Sequence, residues 1–186
     1  MSKERIQKIL AQNGFSSRRK IESLITEGRV FINDKPAKLG DKISIDEKVF
    51  IDGKEVRLAQ QISPELIMYN KPVGEECTHG SSKKTVFDGL PKPKSGKWIS
   101  IGRLDINTSG LLLITNDGQL ANDIIHPSKE IEREYIVRVR GKPSDSSLKK
   151  LTSGVVIDKK EISFTDLVRG KETSSHTWIA LVILSG

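Results

Sequence analysis

Gly102–Gly118 reads GRLDINTSGLLLITNDG. An arginine and an aspartate stand between two glycines, and a nearly unbroken apolar run follows. That run has the length and composition of a strand, and a strand apolar at every position is expected to be buried on both faces. Arg103 and Asp105 then sit at the mouth of a buried strand. Two readings of the aspartate stand. Asp105, Asn107 and Thr108 can organise a loop through side-chain bonds to their own backbone, with Gly102 and Gly110 as turn residues. Alternatively, a carboxylate near the interior edge of a sheet stays ionised because a guanidinium lies beside it, and it is then dry, aimed and nucleophilic.

Moving toward the N-terminus, LIMYNKPVG is a strand running into a Pro/Gly turn, with Lys71 and Pro72 as structural turn residues. The stretch from Glu75 to Trp98 is loop-rich and carries lysines around and just beyond Pro91. Residues 57–65 are polar, lack a period and end near Ser-Pro, which marks a linker. Toward the C-terminus, Leu120, Ile124 and Ile125 share a helix face, and Pro127 stops that helix. EIEREYIVRVRG alternates, with Tyr135, Val137 and Val139 on one face and Ile136, Arg138 and Arg140 on the other. Ser144 or Asp145 caps a helix carrying Leu148 and Leu151, and GVVID, EISFTDLV and TWIALVILSG are three further strands. Strands outnumber helices here, which predicts a largely antiparallel α+β sheet.

The first 56 residues read differently. Ile6, Ile9 and Leu10 make one face of a short helix that Gly14 stops. Ser16 or Ser17 caps a second helix whose stripe is Ile21, Leu24 and Ile25 and which Gly28 ends. VFIND, KISID and VFIDGKEV follow as short strands, with Asp52-Gly53 as a hairpin turn. Arg18, Arg19 and Lys20 crowd the first turn of the second helix, where the helix dipole disfavours cations. A bound phosphate reverses that sign, whereas a solvated charged face merely tolerates it.

Composition bounds the function. The chain has 186 residues, 35% hydrophobic and 30% charged, with a formal net charge of +7. Residues 1–30 hold seven Lys and Arg against three Asp and Glu, while residues 31–60 hold six of each. The surplus is therefore concentrated at the front, as a polyanion-binding module requires. No apolar run approaches the ~20 residues of a membrane helix, and the N-terminus has no apolar secretion segment. The single cysteine, Cys77, excludes an intrachain disulfide and argues against a cysteine zinc site, so a reducing, cytoplasmic setting is expected. Cys77 reads as a half-buried thiol or a loop residue near Asp105. His79, His126 and His176 are scattered, and no phosphate-binding or dinucleotide-binding glycine pattern is present.

The two short helices followed by EGRVFINDKPAKLGDKI resemble the S4 RNA-binding domain over roughly residues 3–50. The resemblance implies RNA contacts by Lys3, Arg5, Arg18, Arg19, Lys20 and Arg29. YNKPVGEECT, TVFDGLP, WISIGRLDINTSG and ANDIIHPSKEIEREYIVRV, in that order behind an S4-like front, resemble one family of ribosomal RNA pseudouridine synthases. That family holds an A type, which acts on small-subunit RNA, and a B type, which acts on large-subunit RNA. GEECT and DINTSG lie nearer the B type. The resemblance implies an α+β chain: an S4-like domain over 1–58, a linker over 59–65 and a catalytic domain with a largely antiparallel mixed sheet over 66–186.

It further implies isomerisation of a uridine in large-subunit ribosomal RNA by an isomerase needing neither cofactor nor metal. Asp105 is then the catalytic aspartate, its route (attack at C1′, attack at C6 or removal of a proton from C2′) left open. Arg103 helps extrude the nucleotide or fill its place, and Tyr135 stacks on the flipped base. From its alternation alone, Tyr135 is equally a core tyrosine on the Val137/Val139 face. The implied partner is ribosomal RNA or a pre-ribosomal particle, bound by a monomer away from membranes. Family members continue past ALVILSG with an arginine-rich helix and a further strand. The catalytic domain is therefore expected to be incomplete after Gly186, to expose apolar surface and to aim Asp105 less well. The alternative function is an S4-type RNA-binding protein whose truncated second domain is inactive. A third reading, an S4-bearing ribosome-associated assembly or stress factor, leaves GRLD unexplained.

Overall fold

The computed structural model describes residues 3–58 and 63–184. Strand β1 (Glu4–Arg5) leads straight into helix α1 (Ile6–Gln12), and α2 (Arg18–Thr26) follows. Ser17 caps α2 by accepting the Lys20 N–H at 3.2 Å. At the other end, Gly28 (φ 71°) takes the left-handed conformation. Its N–H reaches the Ile25 carbonyl and the Arg29 N–H reaches Leu24, a Schellman closure. Strands β2 (Val30–Ile32), β3 (Lys35–Pro36), β4 (Lys42–Ile43), β5 (Val49–Ile51) and β6 (Lys54–Val56) complete the front. β4 pairs with β1, and the others form an antiparallel sheet in the order β3-β2-β5-β6. Asp52 (φ 51°) and Gly53 (φ 74°) turn the β5–β6 hairpin. The helical stripes meet Val30, Ile43 and Val49 in one core that fully buries Ile6, Leu10 and Ile21.

Next come β7 (Leu66–Lys71), β8 (Ile99–Ile101), β9 (Gly110–Thr115) and α3 (Gly118–Ile125). The sheet order is β7-β9-β8, antiparallel, with Tyr69 opposite Leu112 and Lys71 opposite Gly110. Its inner face packs Leu112 and Ile114 on Val86 and Trp98. The expectation that β9 is buried on both faces is corrected. Leu112 and Ile114 are buried, but Leu111 is 68% exposed, as is Met68 (78%) on the neighbouring strand. The pleat sends alternate side chains to opposite sides, and the outer side is covered only toward the end of β9, where Leu113 is half-buried and Thr115 fully buried.

After a short 3-10 helix (Pro127–Lys129), the chain forms β10 (Arg133–Arg140), α4 (Asp145–Ser153), β11 (Val155–Ile157), β12 (Lys160–Ile162), β13 (Asp166–Glu172) and β14 (His176–Ile183). Ser144 caps α4. β10-β14-β13 is an antiparallel sheet, and β11 and β12 pair as a hairpin. EISFTDLV, expected as one strand, is broken instead. β12 ends at Ile162, and β13 opens at Asp166 and runs on to Glu172 with a bulge between Arg169 and Glu172. Leu148, Ile179 and Leu181 form the core here, with Val137, Val139, Leu151, Phe164 and Leu167 against it.

The chain divides into two compact units, Met1–Asn122 and Asp123–Gly186. The S4-like front and the β7-β9-β8 sheet thus lie in the first. Of the stretch expected as a linker, residues 59–62 lie outside the described residues, as do Ser185 and Gly186 at the end of the last expected strand. Among the described residues no helix is long and apolar enough to cross a membrane.

Candidate active site

Strand β7 places Ile67, Tyr69 and Lys71 on the face turned toward the inner core. The last of these is a lysine with no exposed surface. A buried ammonium needs its three donors satisfied, and here main-chain carbonyls do so: Pro72 at 3.0 Å, Asp105 at 3.0 Å and Thr108 at 2.8 Å. Two of these acceptors belong to the loop that follows β8. The Thr108 N–H donates back to the Asp105 carbonyl at 2.9 Å and closes that loop into a turn.

The turn after Lys71 grips the same loop at two further points. Gly74 (φ 96°) donates its N–H to the Ile106 carbonyl at 2.7 Å. The Cys77 thiol donates to the Leu104 carbonyl at 3.3 Å, and the Leu104 N–H donates to the sulfur at 3.4 Å. Cys77 is half-buried. The backbone of 104–108 is therefore held from one side by the segment 71–77, while the Arg103 and Asp105 side chains are exposed. The desolvated ion pair expected between Arg103 and Asp105 does not form. Among the described residues no cation lies within 4.0 Å of the Asp105 carboxylate, because the turn directs it outward rather than into the sheet.

A second buried charge supports the gripping segment. Glu75 is 3% exposed. It accepts the Tyr69 hydroxyl at 2.6 Å and the Lys84 ammonium at 2.8 Å. The Lys84 hydrogen bond, then that of Tyr69, and the nearby positive charges of Lys84 and Lys71 hold the Glu75 carboxyl below its usual range. The same carboxylate and the burial of the phenol push Tyr69 up to about 12. Sequence reasoning missed Tyr69, Glu75 and Lys84 and left Lys71 as a turn residue. The available signal was a lysine at an inward position of an alternating strand.

The other expected residues are placed as follows. Tyr135 stands on β10 opposite Leu181, half-buried, on the Val137/Val139 face. It belongs to the second unit, whereas Arg103 and Asp105 belong to the first. Arg18, Arg19 and Lys20 are exposed in the first turn of α2, and Arg5 is exposed on β1. Lys3 lies 3.8 Å from Glu47. Arg29 is engaged within the protein: Asp52 binds its guanidinium through two bonds of 2.7 Å, and Glu27 through one of 3.0 Å. A phosphate at Arg29 has to compete with both carboxylates.

The sequence signature of RNA pseudouridylate synthases matches residues 65–186, and that of the S4 domain matches residues 4–49. The chain belongs to the RNA pseudouridylate synthase family. Among curated members it is 42% identical, over 98% of its length, to a ribosomal large subunit pseudouridine synthase B of Pseudomonas aeruginosa, of which it covers 49%. Against the synthase of the same name from Vibrio vulnificus it is 44% identical, over 96% of this chain and 58% of the relative. Against that of Escherichia coli it is 43% identical, over 98% of this chain and 65% of the relative. The chain thus spans about half to two thirds of the length of these synthases. A crystal structure of a pseudouridylate synthase superposes with a TM-score of 0.60 over 98% of this chain and 77% of that one, at 24% identity. The synthase fold is therefore shared, S4-like front included.

Proposed function

We propose that the chain acts on large-subunit ribosomal RNA and is an isomerase that converts one uridine to pseudouridine. The observation that carries this reading is the loop around Asp105. Its backbone is gripped by Lys71, Gly74 and Cys77, while its carboxylate stays open to solvent. A buried scaffold that presents one exposed carboxylate is what a reagent for an incoming nucleotide requires. The family's names and the S4-like front support RNA as the partner.

In the reaction the bond from C1′ to N1 of the uridine breaks and a bond from C1′ to C5 forms. The hydrogen of C5 leaves to solvent and N1 takes a proton, so no redox partner enters the balance. Asp105 supplies the carboxylate. Arg103, two residues away and exposed, supplies a cation for the displaced strand or the vacated stack. Tyr135 supplies a stacking surface. We assign residues 1–58 to RNA holding, 59–65 to a linker and 66–186 to the catalytic domain. The setting that follows is a monomer in the cytoplasm, on ribosomal RNA or a pre-ribosomal particle.

A second reading is an RNA-holding chain without turnover. It is favoured by the absence of any cation within 4.0 Å of Asp105 among the described residues. The test is release of tritium from RNA labelled at C5 of uracil, with large-subunit ribosomal RNA as substrate. Release by the chain and none by Asp105→Asn supports the isomerase. RNA binding without release by either supports the second reading.

A further inference from the structure

The loop between Pro91 and Trp98 carries three exposed lysines, Lys92, Lys94 and Lys97, on a backbone held at Pro91, Lys94, Ser95 and Gly96. The buried Trp98 indole donates to the Pro91 carbonyl at 2.6 Å and closes the loop at its base. The Lys94 N–H donates to the Glu65 carboxylate at 2.8 Å. The Asn116 amide donates to the Ser95 carbonyl at 3.1 Å. Gly96 (φ 71°) lies so close to α1 that a Cβ there would stand 2.5 Å from the Gln12 carbonyl oxygen, and one on Gly14 would stand 3.1 Å from Gly96. Pro93 stiffens the middle. The loop backbone is thus anchored at Glu65, Trp98 and Asn116 and seated by Gly96 on α1, yet none of its three ammonium groups has a carboxylate within 4.0 Å among the described residues.

The same contacts fix what the lysines stand beside. Gly14 leads into Ser17 and the cationic first turn of α2. The Arg18 guanidinium reaches to 3.9 Å from the Cβ position of Gly118, two residues beyond the Asn116 that holds Ser95. On the other side, β8 carries the chain from Lys97 to Arg103, at most ~20 Å at full extension. Unpaired cations on a held backbone that touches Gln12 and Gly14, just ahead of the cationic turn of α2, and that leads along the chain toward Arg103, match a regularly spaced polyanion.

We infer that Lys92, Lys94 and Lys97 form a second phosphate-binding segment, continuous with the first turn of α2, that carries an RNA backbone from the S4-like front toward Asp105. The inference rests on the proposal that the chain binds RNA. Because the loop is pinned, binding orders only lysine side chains and leaves the backbone where it is.

Binding of a fluorescein-labelled stem-loop RNA, read by fluorescence anisotropy across a salt series, tests it. Lys92, Lys94 and Lys97 are changed together to alanine in one variant, Arg18, Arg19 and Lys20 in a second, and the exposed Lys149, Lys150 and Lys171 in a third. The loop variant is expected to weaken binding about tenfold or more at low salt and to lower the salt slope by about 2, with an unchanged thermal melt. An unchanged slope in the loop variant, with a lowered slope in the α2 variant, overturns the inference and leaves RNA binding intact. Unchanged slopes in both overturn the inference together with the α2 assignment, and no RNA binding by the parent chain overturns the RNA reading itself. An equal fall in the third variant reduces the effect to net charge and also overturns the inference.

Discussion

The Lys71 ammonium lies 3.0 Å from the main-chain carbonyl of Asp105, with the lysine wholly buried. A charge on one strand thus holds, through the backbone, the loop that presents a carboxylate from another. The side chain of Asp105 takes no part in the bond and is left for other work.

Replacing Lys71 by methionine keeps the volume and removes the donors. Three main-chain carbonyls lose a charged partner, so the chain is expected to lose about 3 kcal/mol in a urea melt. Tritium release is expected to fall about a hundredfold at a temperature where the variant is still folded, since the Asp105 loop is no longer held. Arginine at the same position does not rescue either readout, because its planar fork cannot address three converging carbonyls.

Asp105→Asn has the opposite signature. The carboxylate is exposed and bonds nothing that the structure shows, so stability is expected to stay within about 0.5 kcal/mol. Turnover is expected to disappear while RNA affinity is kept. The melt and the tritium assay, run side by side, separate this variant from Lys71→Met.

The Tyr69–Glu75 pair makes a pH prediction. Glu75 is held below the usual carboxylate range, so its contribution to stability is present above the unfolded value and is lost as pH falls through the folded one. The first unit is expected to melt progressively lower below about pH 4.5, and Glu75→Gln to flatten that slope. Tyr69 is raised to about 12, so its contribution is full below about pH 10 and is lost as pH rises through about 12. Ultraviolet titration of the phenols is expected to show one step near 12 that moves down in Glu75→Gln.

Gly96→Ala tests the seating of the lysine loop on α1. The new methyl meets the Gln12 carbonyl at 2.5 Å, and the residue keeps a left-handed φ of 71°. A loss of about 2 kcal/mol or more is expected in the urea melt. Gly89, which has open space around its Cβ position, is the control.

Strand β9 predicts an alternation in tolerance. Leu112→Ala is expected to cost about 2–5 kcal/mol, since its side chain packs in the core beside Val86 and Trp98. Leu111→Ala is expected to stay within about 0.5 kcal/mol, since that side chain is largely exposed. Two adjacent leucines measured by the same melt decide it.

The sequence alone determined whatever depends on local chemistry or short periods. Ile6, Ile9 and Leu10 fall on one helix face because 3.6 residues make a turn. Asp52-Gly53 turns a hairpin because both residues tolerate positive φ. Ser17 caps α2 because its oxygen reaches a free N–H. GRLD and the S4-like front identified the family in the same way, as short strings with definite spacing.

Tertiary structure decided the rest. Arg103 and Asp105 are two residues apart, and chain proximity suggested an ion pair, yet the turn closed at Thr108 sends both side chains outward. Leu111 through Ile114 are uniformly apolar, and only the pleat and the packing around each side separate the exposed Leu111 from the buried Leu112 and Ile114. Lys71 reaches a loop 34 residues downstream. The lysine loop comes to lie against α1 because Gly96 has no Cβ to meet the Gln12 carbonyl. Such contacts join residues far apart in the chain, and their energy depends on geometry that no local pattern records.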